Sequence, residues 1–397
     1  MDTARIKALA VLGYNFNLHL LKKVLPHEKK DQAELFRSYF KDDRIAPFTA
    51  AETAELNGFE TCVACGLCPS HCRVMELSEG KFLGPMHLAV AASRSQPEFM
   101  HDGDSLFLCA ACGQCEPVCP ERVPVGRMAR AMRAMLWRTA PEALPEAYHH
   151  AAENLKRHGS IYGEPAAGAA PEHRDAGAAL VLGPSLKRDA GRAGRVAEAL
   201  KKLGIDVTCI NEGSIGGVAE SLGLVPDTGW VDALAASAAR TVIVAEPDEW
   251  IALKDDLRLK GKAVKFILEA VAEKMPAGLT LASLINGRAA VHDTHALCRR
   301  SSMWKLSRDV LGRAGVGIVE MEKHGEWSPP LGWEGGIELA LPGLAGLLAR
   351  ARLDDAARAG ALSLIVFSAA DAALLERAGV DHEVSVHYFL DMVHEAL

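Results

Sequence analysis

The chain has 397 residues and a formal net charge of -7 with its 15 histidines counted as neutral. This length predicts two or three domains, and 49% apolar with 24% charged residues is typical of a globular protein. The negative charge disfavours a nucleic-acid partner, because nucleic-acid-binding domains usually carry a concentrated positive field. The sequence has no run of about 18 uncharged apolar residues, so we expect no transmembrane helix.

The cysteines of the chain point to metal or redox chemistry. The first residues lack the charged and apolar regions of a signal peptide, so we expect a cytoplasmic protein, in which disulfides are rare. Eight of the ten cysteines lie between residues 62 and 119, and only Cys209 and Cys298 lie elsewhere. Such clustering in a cytoplasmic chain favours a metal site over a disulfide framework.

Residues 1–60 are predicted to form a helical N-terminal segment. Apolar residues recur at spacings of three and four from Ile6 to Val24, which is typical of an amphipathic helix. A second helix is expected over residues 31–39. Two roles are open for the first helix. It docks against the rest of the protein or a partner subunit, or it lies on a membrane surface with its lysines at the lipid headgroups.

Residues 61–158, which hold the eight clustered cysteines, are predicted to form a mostly α-helical domain. Helices are expected near Met86 and over residues 126–137. The second of these helices carries three arginines on one side, Arg127, Arg130 and Arg133. Three roles are open for these arginines: they form a solvated helix face, they contact a partner, or they offset the charge of an anionic centre. Residues 159–177 are rich in Gly, Pro and Ala and are predicted to be a linker.

After the linker, strands and helices alternate, which predicts two α/β lobes with parallel sheets at residues 178–288 and 289–397. Strands are expected at residues 179–182, 205–210, 241–245, 289–292, 316–320 and 364–367. Helices are expected at residues 190–203, 264–274, 303–314 and 386–396. The fold class is therefore an N-terminal mostly α-helical domain followed by two repeated α/β lobes with parallel sheets.

Two cysteine motifs share the spacing C-x2-C-x2-C-x3-C. The first comprises Cys62, Cys65, Cys68 and Cys72, and the second comprises Cys109, Cys112, Cys115 and Cys119. The first three thiolates of such a motif wrap a tight loop around one face of a four-iron cubane, whereas the fourth points away. The pattern predicts two [4Fe–4S] clusters, with Gly66 and Gly113 where the backbone passes close to sulfur. Residues 61–158 are therefore predicted to form an α-helical two-cluster ferredoxin domain.

The fourth cysteine of each motif is expected to bind the cluster of the other motif, as in two-cluster ferredoxins. The first ligand set is then Cys62, Cys65, Cys68 and Cys119, and the second is Cys109, Cys112, Cys115 and Cys72. Zinc is disfavoured, because four-cysteine zinc sites usually pair two C-x2-C knuckles. His71 lies inside the first motif, but we expect no ligand role for it since each motif already supplies four thiolates.

The paired motifs and the α/β repeat behind them resemble the cysteine-rich, CCG-domain iron–sulfur proteins. That family includes iron–sulfur subunits of heterodisulfide reductase, glycolate oxidase, lactate-utilisation enzymes and anaerobic glycerol-3-phosphate dehydrogenase. The resemblance covers residues 60–397 and is most specific over residues 62–137. It implies a chain that carries electrons between a flavin-dependent dehydrogenase or reductase and a quinone or another redox partner.

The cysteines that this family carries in its α/β lobes are missing here. Other residues stand at the corresponding places, namely Gly183-Pro184-Ser185, Ser214-Ile215-Gly216-Gly217 and Glu246-Pro247-Asp248-Glu249 in the first lobe, and His292-Asp293-Thr294-His295, Trp327-Ser328 with Gly335-Gly336, and Ser368-Ala369-Ala370-Asp371 in the second. We therefore expect no non-cubane cluster in the lobes. His292, Asp293 and His295 leave open a mononuclear metal site or polar residues retained at a strand end.

The sequence thus predicts an iron–sulfur electron-transfer subunit with no catalytic residue and no flavin of its own. Its expected partners are a flavoprotein dehydrogenase or reductase subunit and a quinone-reactive membrane subunit, which would hold the chain at the inner face of the membrane. Two alternatives stay open. The chain is a stand-alone oxidoreductase that binds a small substrate between the lobes, or it is a scaffold whose clusters are structural.

Overall fold

The computed structural model describes residues 3–24, 31–41, 49–50, 54, 60–94, 105–163, 177–210, 213–214 and 216–397. The chain forms two compact units, Met1–Ile45 and Ala46–Leu397. Residues 164–176 of the predicted linker and Ile215 of the first lobe lie outside the described residues. The predicted boundary between the helical domain and the lobes stays a prediction.

The first unit contains the two helices expected from the sequence, α1 (Thr3–Val24) and α2 (Gln32–Tyr39). The Asp31 side chain caps α2 by accepting a hydrogen bond from the Ala33 N–H at 3.0 Å. Large apolar side chains of α1 are exposed, such as Leu12 at 70%. Among the described helices, none is long and apolar enough to cross a membrane.

The cysteine-containing part of the second unit is helical, as predicted. Its helices are α3 (Arg73–Leu77), α4 (Pro85–Arg94), α5 (Ser105–Leu108), α6 (Val125–Thr139) and α7 (Glu146–His158). The buried face of α6 carries Met128, Met132 and Met135 at spacings that place them on one side of a helix. α6 packs against α4, and α7 ends at Gly159, which adopts the left-handed conformation with φ +64°.

A four-stranded parallel sheet follows, with the strand order β2-β1-β3-β4. Its strands are β1 (Ala178–Val181), β2 (Val207–Ile210), β3 (Thr241–Val244) and β4 (Ala263–Phe266). Its helices are α8 (Gly183–Lys187), α9 (Ala190–Lys202), α10 (Val218–Ser221), α11 (Gly229–Ala236), α12 (Pro247–Leu253) and α13 (Ile267–Lys274). All four residues of β1 are buried, as expected for a strand of a parallel sheet that is covered on both faces.

A second parallel sheet repeats this plan with three strands in the order β5-β6-β7. Its strands are β5 (Ala289–Val291), β6 (Ser363–Val366) and β7 (Ser385–Tyr388). Its helices are α14 (His295–Cys298), α15 (Met303–Arg313), α16 (Ile337–Ala340), α17 (Pro342–Arg358), α18 (Ala369–Ala378) and α19 (Phe389–Ala396). A single parallel bridge between Ala289 and Ile318 stands where β2 stands in the first sheet.

The fold class is confirmed, whereas several predicted elements are wrong. Residues 264–266 and 386–388, which were expected to begin helices, belong to β4 and β7. Each of these strands has four residues and is followed at once by a helix, so the hydrophobic pattern shows no boundary between them, which explains both errors. The strand expected at residues 316–320 is reduced to one bridge, and the helices α12 and α17 were not predicted.

A buried guanidinium connects the helical part of the unit to both sheets. Arg133 of α6 has no exposed surface and donates hydrogen bonds to four backbone carbonyls. The acceptors are Ser221 at 2.6 Å, Gly335 at 3.1 Å, Leu106 at 2.7 Å and Cys109 at 2.6 Å. The prediction of a solvated arginine face is therefore wrong for Arg133, although Arg127 on the same helix is exposed.

Replacing Arg133 by methionine should lower the free energy of unfolding by about 3 kcal/mol or more, because buried carbonyl groups lose their donors. Thermal unfolding followed by circular dichroism under anaerobic conditions measures the change. Arg127→Met is the matched control on the same helix and should change the stability by about 0.5 kcal/mol or less. Equal effects of the two substitutions would contradict the role assigned to Arg133.

Candidate iron–sulfur centres

The two cysteine loops share an unusual backbone conformation. Ala64 and Gly66 in the first motif have φ values of +52° and +78°, and Ala111 and Gly113 in the second have +49° and +74°. A non-glycine residue in this region costs about 1 kcal/mol or more and persists where the surrounding structure holds it. The repeated strain shows that both loops are turned tightly in the same way around the second cysteine of their motif.

A cavity of about 380 Å³ lies beside the first loop. Its lining includes three cysteines of the first motif and two of the second, namely Cys62, Cys65 and Cys68, and Cys115 and Cys119. The remaining wall is largely apolar, with Met86 of α4 among its residues. Burial raises the pKa of the Cys68 thiol to about 11, and the nearby thiols raise it as well, namely Cys119, Cys62 and Cys65. Iron that binds these sulfurs must therefore displace protons.

A second cavity of about 360 Å³ lies beside the second loop. The cysteines in its lining are Cys109, Cys112 and Cys115 of the second motif and Cys72 of the first. Burial raises the pKa of the Cys72 thiol to about 12, and its sulfur accepts backbone hydrogen bonds from Met75 and Val74 at the start of α3. Such N–H groups stabilise a thiolate once a metal has taken the proton.

The two cavities are neighbours, since Cys115 lines both of them. The structure brings Cys119 to the first three cysteines of the first motif and Cys72 to those of the second. This is the placement that an exchange of the fourth ligand requires. His71 lies instead beside Trp327, with 6.0 Å between the ring centroids, and its Nδ1 is 3.0 Å from Ser70 Oγ.

The surroundings of the two cavities differ in exposure and charge. At the first loop Cys65 is exposed, and Val63 and Leu67 expose 63% and 50% of their surface. The second loop is enclosed by arginines that donate to its carbonyl oxygens. These bonds are Arg133 to Cys109 at 2.6 Å, Arg299 Nε to Cys112 at 2.7 Å and Arg130 to Ala111 at 3.4 Å. Positive charge therefore concentrates at the second loop.

The residues present fit iron–sulfur clusters. Each cavity offers four sulfur ligands, and the Val123 N–H points at Cys119 Sγ at 3.4 Å. In the described part of the chain, no group of three or more His, Cys, Asp or Glu side chains is arranged to hold a metal ion.

Two glycines allow other elements to touch the second loop. A Cβ atom on Gly335, between Trp333 and α16, would lie 2.4 Å from Ala110 Cα and 2.5 Å from the Cys109 carbonyl oxygen. A Cβ atom on Gly126 of α6 would lie 2.8 Å from the Ala111 carbonyl oxygen. The sequence singled out Gly335 only through the family resemblance and gave no sign of this contact.

Comparisons with known proteins agree with the chemistry of the cysteine loops. A family model described as a 4Fe-4S dicluster domain matches residues 58–123. The succinate dehydrogenase iron-sulfur subunit of Coxiella burnetii is 29% identical over 117 residues, which cover 26% of this chain and 50% of that relative. The chain is an iron–sulfur protein. These similarities support a cofactor of the [4Fe–4S] type.

A second group of functional candidates lies at the carboxyl ends of the two sheets, where loops from β3, β5 and β6 meet. The His295 Nε2 atom is 3.0 Å from Asp248 Oδ1, and Ser368 Oγ donates to Glu246 Oε2 at 3.1 Å. Trp333 Nε1 donates to Asp371 Oδ1 at 2.6 Å. All these side chains are buried, and they come from both halves of the repeat. The sequence identified most of these positions but not their convergence.

The three residues considered for a mononuclear metal site, His292, Asp293 and His295, each contact a different partner. Asp293 pairs with Arg308 and accepts the Gly325 N–H at 2.7 Å. His292 Nδ1 accepts a hydrogen bond from Arg352 at 3.1 Å, and burial lowers the pKa of His292 well below its usual value. His295 is held by Asp248. These contacts favour polar residues retained at a strand end over a metal site.

Replacing Gly335 by alanine should destabilise the protein by about 2 kcal/mol, because the new methyl group forces the second loop and the Gly335 backbone apart. Gly346→Ala is the matched control, since a Cβ atom on Gly346 of α17 meets nothing within 4 Å. Alanine favours a helix, so this control should be neutral or stabilise the protein by up to about 1 kcal/mol. Thermal unfolding compares the two, and a harmless Gly335→Ala would contradict the close contact.

Proposed function

We propose that the chain is the electron-transfer subunit of an oxidoreductase complex and relays electrons through two [4Fe–4S] clusters. The proposed ligand sets are Cys62, Cys65, Cys68 and Cys119 for the first cluster and Cys109, Cys112, Cys115 and Cys72 for the second. The observation that carries this proposal is that each cavity brings three cysteines of one motif together with the fourth cysteine of the other, while Cys115 lines both cavities. The chain itself supplies ligation, spacing and tuning of potential, and no catalytic residue.

The relay is proposed to run from the first cluster to the second. The first loop is partly exposed and flanked by the apolar side chains of Val63 and Leu67, which suits docking of a redox partner. The second loop is surrounded by arginines, and nearby positive charge stabilises the extra electron of a reduced cluster. The second cluster then has the higher reduction potential. Because Cys115 lies between the cavities, an electron has a short path between the two clusters.

The proposed partners are a flavoprotein dehydrogenase or reductase subunit and a quinone-reactive membrane subunit or another acceptor. The similarity to an iron–sulfur subunit of succinate dehydrogenase supports a flavoprotein partner. We also propose kinship with the CCG-domain proteins, supported by the two sheets of the same parallel plan. A cytoplasmic position at the inner face of the membrane, and the absence of a flavin in this chain, belong to the same proposal.

Cluster content and ligand exchange test the proposal together. Anaerobically purified protein should contain about eight iron and eight sulfide per chain, as two four-iron clusters require. Cys72→Ser should damage mainly the second cluster although Cys72 belongs to the first motif, and Cys119→Ser should damage mainly the first. Iron analysis and electron paramagnetic resonance of the reduced protein measure both effects.

The control for this experiment is Cys209→Ser, which changes a buried cysteine of β2. It should leave iron, sulfide and both cluster signals unchanged. If each serine variant instead loses only the cluster of its own motif, the ligand exchange is wrong. Near-stoichiometric zinc in a colourless protein would disprove the proposed function itself.

Replacing Arg299 by methionine should lower the midpoint potential of the second cluster by tens of millivolts, because a buried positive charge beside Cys112 is removed. The potential of the first cluster should change far less. Redox titration followed by electron paramagnetic resonance separates the two clusters. Arg300→Met alters the exposed neighbour and is the control. A rise in the potential of the second cluster, or equal shifts of both, would contradict the electrostatic argument.

A further inference from the structure

A cavity of about 280 Å³ lies where the loops after β1 and β3 meet the second half of the repeat. Ser185, Glu246 and Asp248 contribute to one side of it, and Trp333 of the second half contributes to the other. The carboxyl ends of parallel strands are where α/β folds bind ligands, because the loops there converge on a crevice. We call this cavity the inner pocket.

Two buried oxygen atoms of the inner pocket lack a hydrogen-bond partner. They are Glu246 Oε1 and Asp248 Oδ2, on residues that are each only 4% exposed. The other oxygen of each carboxyl group is engaged, with Ser368 and His295 respectively. Buried polar atoms are almost always satisfied in native proteins. Two such atoms lining one cavity therefore indicate a polar ligand.

An open cleft of about 620 Å³ adjoins the inner pocket. Tyr162 and Ser185 line both spaces, so the cleft and the pocket are neighbours. Arg188 and Arg377 line the cleft from opposite halves of the repeat, and the Arg188 guanidinium lies 4.3 Å from the centroid of the Tyr162 ring. We call this space the outer cleft.

The arginines of the outer cleft differ in how firmly they are paired. Arg192 forms ion pairs with Glu376 at 2.7 Å and Asp391 at 2.9 Å. Arg188 and Arg377 share one carboxylate, Glu338, at the longer distances of 3.9 Å and 3.7 Å. Their side chains are 46% and 59% exposed. Because these two guanidinium groups share one distant carboxylate, some of their N–H donors are free to bind an anion. Arginine binds carboxylate and phosphate groups through its planar fork.

We propose that the outer cleft and inner pocket together bind a small organic anion. Its carboxylate or phosphate group lies between Arg188 and Arg377, and a hydrogen-bonding oxygen at its other end reaches Glu246 and Asp248. This proposal gives a binding role to polar residues at the carboxyl ends of the strands of both sheets. It requires neither cluster and so is independent of the proposed electron transfer.

The inner pocket is suited to a neutral oxygen group and not to a second anion. Burial raises the pKa of Glu246 well above its usual value, which favours the protonated form, and a protonated carboxyl donates a hydrogen bond through its O–H group. Two glycines let the backbone approach the side chains of Glu246 and Asp248 closely. A Cβ atom on Gly183 would lie 2.5 Å from Glu246 Cγ, and one on Gly217 would lie 3.1 Å from Asp248 Cβ. A slender hydroxyl or carbonyl group fits this space.

Isothermal titration calorimetry of the full-length, cluster-containing protein tests the proposal with three probes. Malate carries carboxylates and a hydroxyl, inorganic phosphate carries only the anionic group, and glycerol carries only hydroxyls. Malate should bind, phosphate should bind more weakly and compete with it, and glycerol should not bind. Arg188→Ala and Arg377→Ala should each weaken malate binding by about tenfold or more, as expected for loss of a charge-assisted hydrogen bond.

Two further variants separate the two ends of the site. Arg240→Ala removes an exposed arginine that lines neither space and should leave all affinities unchanged. Glu246→Ala should weaken the binding of malate by about tenfold and leave the binding of phosphate unchanged, since phosphate contacts only the arginines. Thermal unfolding checks that every variant folds, and a malate-dependent rise of the midpoint that Arg188→Ala abolishes gives an independent readout.

Three results would overturn the proposal. The first is the absence of binding for both malate and phosphate, and the second is malate binding that Arg188→Ala and Arg377→Ala leave intact. The third is tight binding of Mn²⁺ that Asp248→Asn abolishes, which would assign the pocket to a cation. Iron content is measured on the same samples, so a failure of anion binding with two intact clusters rejects this proposal alone.

Discussion

The four hydrogen bonds of the Arg133 guanidinium set the arrangement on which the candidate centres depend. A buried positive charge is tolerated only where dipoles or anions compensate it, and here four carbonyl groups do so. These carbonyls belong to α5, the second cysteine loop, the first half of the repeat and the Gly335 segment of the second. A shift of any one of them leaves a donor or an acceptor without its partner. The conformation of the second loop is therefore fixed by the whole unit.

The parallel topology explains why a second polar site lies close to the metal loops. Each sheet has the carboxyl ends of its strands at one edge, and the bond from Ser368 to Glu246 shows that the two edges face each other. Trp333 lines the inner pocket, and Gly335, two residues further, touches the second cysteine loop. One short stretch of backbone thus links the proposed anion site to the proposed second cluster.

Local patterns in the sequence predict the metal loops and the fold class but not the long-range contacts. The spacing of each motif predicts a metal loop because it reflects the geometry of a short loop, whereas the exchange of the fourth cysteines is a prediction from the likeness to two-cluster ferredoxins. β4 and β7 were misassigned because four residues are too few to show a period that distinguishes a strand from the helix that follows it. The burial of Arg133 and the convergence of Glu246 with Ser368 depend on tertiary packing between residues more than 80 positions apart.

The position of the fourth cysteine in each motif bears on how the protein acquires its metal. Cys119 lies with the first loop and Cys72 with the second, so neither loop has four sulfurs until both have folded against each other. Metal binding and folding are coupled wherever the ligands come from separate parts of a chain. With the proposed ligands, each cluster acts as an inorganic cross-link between the two motifs. Delivery of iron to a half-folded chain would then be unproductive, and damage to either centre would loosen the other.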